Sequence, residues 1–140
     1  MMTRQDAERL VSGLGETYGV KAELSPGGFG GLAVETASVF FEYSDSAQAL
    51  ECSALVYKFH DPPKPGVIEA FTAEEAAGTD TGGGHVDYEP ENKGLFLSRT
   101  YQQSPDPMAF LGDMKSLMKA SLAWGDVVLP RVSERVFHPK

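Results

Sequence analysis

Several short stretches of this 140-residue chain carry residue types that could do chemistry. Asp80-Thr81-Gly82 has the letters of an aspartic-peptidase signature, where two carboxylates share one proton and a homodimer can supply both. Such a triplet closes an apolar strand. Here Glu74-Glu75-Ala76-Ala77-Gly78-Thr79 precedes it, which is the pattern of a helix end and a turn. Phe110-Leu111-Gly112 can mimic the second apolar-apolar-glycine element of such enzymes. A homodimeric peptidase using Asp80 is therefore carried forward as a distant alternative. Gly28-Phe29-Gly30-Gly31-Leu32-Ala33 fits the dinucleotide pattern GxGxxA. That pattern binds pyrophosphate only when a strand precedes it and a helix follows. A strand is expected to follow here, so the stretch reads as a loop and no cofactor is expected.

The remaining reactive types do not converge. His60, His85 and His138 are scattered, with no cysteine partner at metal-ligand spacing, so no metal site is expected. Cys52 is the sole cysteine, so no internal disulfide forms, and in a strand it acts as a small hydrophobe. Ser12, Ser53 and Ser98 lack a nucleophile-elbow setting. No catalytic residue is expected and the chain does not read as an enzyme.

The elements that would position these residues follow from periodicity. Thr3 is a candidate N-cap with Asp6 as its capping-box partner, and Ala7, Leu10, Val11, Leu14 and Tyr18 share one helical face up to Gly19. A glycine-rich loop at 25–31 precedes three alternating segments, Leu32–Thr36, Val39–Tyr43 and Cys52–Phe59. Prolines at 62, 63 and 65 end the third. A short helix carrying Val67, Ile68 and Phe71 follows, then a second glycine loop. Val86 and Tyr88 alternate in a fourth strand, 90–94 turns, and Leu95–Tyr101 forms a fifth. Asp106-Pro107 opens a long helix. Its face includes Phe110, Met114, Met118 and Trp124, where core or dimer packing is the expected role and partner contact the alternative. Pro130 is expected to stop it. The predicted class is α+β in the order αβββαββα: one bent antiparallel sheet of about five strands with three helices.

At 140 residues the chain suits one domain, and its 41% hydrophobic and 23% charged content argue against global disorder. The expected boundaries are a domain at 1–130 and a basic tail at 131–140, with Arg131, Arg135 and Lys140 against Glu134, solvated and partly disordered. The formal net charge of −8 disfavours nucleic acid and anionic membranes as partners and leaves basic polypeptides open. The amphipathic N-terminus lacks a signal-peptide core, and no stretch is long enough to span a bilayer. A cytoplasmic location is expected.

Two surfaces are expected to bind. Phe40 alternates against Val39, Phe41 and Tyr43, so a sheet with one core face leaves it outside. With Leu32, Val34 and Leu55 it forms the candidate partner-binding patch. Coverage of Phe40 by a helix is the alternative. Val67, Ile68 and Phe71 on the short helix, with Val86 and Tyr88 on the following strand, form the candidate homodimer interface.

The stretch Gly94-Leu95-Phe96-Leu97-Ser98-Arg99-Thr100-Tyr101, then Phe110-Leu111 through Ala123-Trp124, resembles the C-terminal half of the Tir chaperone (CesT) family, the class I type III secretion chaperones. The shared pattern is an apolar L-x-L-S-R strand, a polar gap, and a long helix ending near a tryptophan. The element order, length, acidity and amphipathic first helix are also similar. The resemblance implies a bacterial cytoplasmic homodimer that binds an extended segment of a secreted effector without catalysis. A chaperone-like protein of regulatory or other role outside secretion is the alternative, because fold alone does not set function.

Overall fold

The computed structural model describes residues 1–137; His138 and Lys140 lie outside the described residues. The expected order appears: α1 (Arg4–Thr17), β1 (Phe29–Val34), β2 (Ala37–Ser44), β3 (Ala49–Lys58), α2 (Val67–Ala76), β4 (His85–Glu89), β5 (Gly94–Tyr101) and α3 (Pro107–Ala123). All strand pairs are antiparallel, in the spatial order β1-β2-β3-β5-β4.

The local signals act as anticipated at both helix starts. Thr3 Oγ1 accepts from Asp6 N–H while Asp6 Oδ2 accepts from Thr3 N–H, a closed capping box on α1. Asp106 caps α3 by accepting from Met108 N–H, and Pro107 fills the first helical position. One face of the sheet takes α1 and α3. Val39, Phe41, Leu50, Cys52, Leu95 and Leu97 point to that side, each at most 2% exposed, against Val11, Phe110, Met114 and Leu117. Each such side chain contributes about 1.5–3 kcal/mol on leaving water.

Three segments differ from expectation. Phe29–Gly31 belong to β1 rather than to a loop. Gly31 stands opposite Phe40, whose ring lies 3.4 Å from where a Cβ would be, so the missing side chain gives the ring its seat. Pro130 does not end the last helix. After α3 the chain makes a π-helical turn at Trp124–Val128 and continues as α4 (Leu129–Phe137). Proline is tolerated there because the first turn of α4 needs few of its own N–H groups. The expected solvated tail is thus a packed helix over its described part, with Val132 1% exposed.

The loop between α2 and β4 is seated on α3. Gly82 has φ +64°, and a Cβ there would stand 2.3 Å from the Ser116 carbonyl oxygen. Gly82→Ala is expected to cost about 2–4 kcal/mol from the left-handed backbone plus the clash. Urea unfolding measures this, and a loss below about 0.5 kcal/mol would mean the loop does not lean on α3.

Candidate functional site

The second face of the sheet carries no helix. Cross-strand register places Gly31, Phe40, Ser53 and Ser98 side by side, with Phe29 beside Glu42 and Leu55 beside Phe96. Phe40 is 47% exposed and Phe29 58% exposed. Phe96 is buried on this same side, and Phe40 meets it edge-on with ring centroids 6.0 Å apart. Between them Ser53 and Ser98 hydroxyls share a 2.8 Å hydrogen bond, so the polar floor is satisfied internally. Phe29, Phe40, Phe96, Ser53, Glu51 and Glu89 border a hollow of about 210 Å³.

Charge around this hollow has one sign. Glu42, Glu51, Asp87 and Glu89 occupy the outward positions of β2, β3 and β4, and none makes an ion pair among the described residues. Ser98 donates to Asp87 at 3.4 Å and Asn92 to Glu89 at 3.4 Å. Partial burial, then the charges of Asp87, Glu42 and Glu89, raise the Glu51 carboxyl above its ordinary range.

The two sheet edges differ. On β4 the Glu75 carboxylate accepts from Val86 N–H at 2.7 Å and contacts His85 Nδ1 at 2.8 Å, which blocks that edge at its start. On β1 the Ser25 hydroxyl accepts from Phe29 N–H, and Phe29 carbonyl accepts from Ser25 N–H. Past that point the 20–25 segment no longer follows the strand, and Gly31 and Ala33 are exposed. Their outward backbone groups lie next to the Phe40 hollow.

The expected partner patch is therefore half right. Phe40 is exposed and Leu55, half-buried, shares its face. Leu32 stands opposite Val39, points into the core and is 6% exposed; Val34 lies on that inner side, half-buried. The alternation was visible, but its phase in β1 was set by pairing with β2. Phe29 and Phe96 were missed; the FxG spacing at 29–31 and the phase of Phe96 against Leu95 and Leu97 were the available signals.

The expected dimer patch is also divided. Val67 and Phe71 are 4% and 0% exposed because α4 and Trp124 cover them, so they do not offer an open interface. Phe71 stacks on Trp124 at 6.1 Å. Ile68, Val86 and Tyr88 are half-buried, and Tyr88 meets Phe59 edge-on at 6.2 Å. Covering α2 depends on a charge cluster. Glu74, 6% exposed, accepts from Arg131 Nε and Nη2, both at 2.9 Å, from Thr79 Oγ1 at 2.8 Å, and from Arg135. The Arg131 bonds, with those from Thr79 and Arg135, outweigh burial and lower the Glu74 carboxyl to about 2.

Asp80 does not close a strand. It lies in the loop before β4, where its carboxylate accepts from Gly82 N–H at 2.8 Å and its carbonyl accepts from the Trp124 indole at 2.8 Å. Those bonds shape the turn. Cys52 sits in the core, and burial pushes its thiol up, away from the reactive thiolate. No group of three metal-ligating side chains converges among the described residues. No helix among them is long and apolar enough to cross a membrane.

No family model and no curated protein matches the sequence. Solved structures do match in shape. A chain of the ExsC-ExsE complex superposes with a TM-score of 0.71 at 15% identity, over 91% of this chain and 96% of that one. A chain of the HopA1-SchA chaperone-effector complex gives 0.66 at 9% identity, over 89% and 96%. The resemblance to secretion chaperones thus holds at the level of fold: the chain has, over nearly its whole length, the architecture found in these complexes.

Proposed function

We propose that this protein is a non-catalytic chaperone of the bacterial cytoplasm that, as a homodimer, holds an extended segment of a secreted effector. The observation that carries the reading is the uncovered sheet face around Phe40 beside the open β1 edge, on a fold shared with a chain of a chaperone-effector complex. An extended chain can add to such an edge through main-chain hydrogen bonds while its alternate side chains enter the hollow. Phe40 and Leu55 are the contact residues retained from the sequence, joined by Phe29 and Phe96. Ile68, Val86 and Tyr88 are the residues retained for the dimer contact.

Affinity capture from the native bacterium, followed by binding of the purified captured protein, tests this. The expected partner is a secreted protein with one extended segment shielded from protease in the complex. Phe40→Asp is expected to weaken it about 30-fold or more, as loss of a central aromatic anchor does, with little change in thermal stability. A secreted partner that binds Phe40→Asp as tightly as the parent would remove this face from the function. Light scattering at micromolar concentration tests the dimer, and a monomer mass refutes it.

A further inference from the structure

We infer that the open sheet face selects a cationic segment: an extended polypeptide whose aromatic or large aliphatic residue enters the Phe29–Phe40–Phe96 hollow while flanking lysines or arginines meet Glu42, Glu51, Asp87 and Glu89. The inference rests on the polypeptide-binding reading of this face and adds the chemistry of the occupant. Three features converge on it. The hollow, about 210 Å³, is floored by a buried ring and walled by two exposed ones, a shape for one apolar side chain. The carboxylates around it come from three different strands, and none has a cationic partner among the described residues. No lysine or arginine takes an outward position in the paired registers of this face.

Like charges held this close without counter-charge disfavour the free protein. A cation brought by the occupant relieves that repulsion, so binding and neutralisation are coupled. In an extended chain, residues two apart share a side and neighbours splay to the other. An apolar residue seated beside Phe40 therefore places residues two before and two after it over the same face. There a long cationic side chain reaches the acidic groups on either side. An acidic or neutral segment of equal apolarity leaves the repulsion in place.

The experiment uses the full-length protein, isotopically labelled for amide NMR, and three synthetic peptides of about ten residues, long enough to cross the sheet. They share a central phenylalanine and differ only at positions two before and two after it: lysine, glutamine or glutamate. The lysine peptide is expected to shift amides of β1, β2, β3 and β5 around Phe40. It should bind about tenfold tighter than the glutamine peptide, an advantage that shrinks as salt rises. The glutamate peptide should bind weakest. In the Glu51→Gln, Glu89→Gln double variant the lysine advantage should fall to about threefold or less, while thermal stability rises because repulsion is removed. Equal binding of the lysine and glutamine peptides would overturn the charge selection and leave the apolar face standing. Shifts confined to another surface, or none from any peptide, would overturn the inference. The effector-binding reading is decided separately, by the Phe40→Asp result with the natural partner.

Discussion

Trp124→Ala will cost about 3–5 kcal/mol of folding stability, the loss typical of a large aromatic removed from a packed site. Trp124 is 1% exposed at the junction of α3 and the π turn. Its ring stacks on Phe71 of α2, and its indole N–H holds the Asp80 carbonyl in the loop before β4. One side chain thus ties three elements that are otherwise weakly joined. Trp124→Phe keeps the stacking and loses the hydrogen bond, so it should recover more than half of the deficit. Urea unfolding followed by circular dichroism measures both variants. A loss under about 1 kcal/mol in Trp124→Ala would mean that the site collapses freely and that α2 does not depend on this contact.

Removing the carboxylate that binds α4 should be the next largest effect. Glu74→Ala leaves Arg131 and Arg135 without their shared acceptor. Their guanidinium groups are about half exposed and can rehydrate, so the cost is set at about 2–3 kcal/mol rather than at the full value for a buried pair. The pH dependence has a definite sign. The Glu74 carboxyl is lowered in the folded state from 4.5 to about 2. Its contribution is therefore complete above 4.5 and is lost as pH falls from there through about 2. The single tryptophan lies beside this cluster, so its fluorescence reports the change. The difference between parent and Glu74→Gln stability should be largest at neutral pH and vanish near pH 2. A difference that stays constant over that range would show that charge does not hold α4.

Much of the architecture was legible because its signals are local. The Thr3–Asp6 box, the Asp106-Pro107 start and the period-two runs in β2 and β5 depend on residues within a few positions of one another. What escaped depends on distant partners. Arg131 and Arg135 look like a solvated basic tail until Glu74, 57 residues before Arg131, is placed beneath them. Val67 and Phe71 look available until the chain returns to cover them. Leu32 and Phe40 both belong to alternating strands, but whether they share a face is decided by which residue stands across from which. Gly31 opposite Phe40 settles that, and no single strand contains the information.

The π turn gives the end of the chain a phase. In this turn Leu129 N–H reaches back to the Trp124 carbonyl, one residue further than an α-helical bond. Excising one residue here, for instance exposed Val127, would let the ordinary bond form and join α3 and α4 into a continuous rod. Everything downstream would then rotate by about 100° about the axis, the turn that one residue spans. Val132 would swing toward water and the two arginines would sweep past their acceptor. Adhesion of the last helix to α2 is thus a matter of counting: a single codon, independent of which side chain it specifies, sets the face that the helix shows inward.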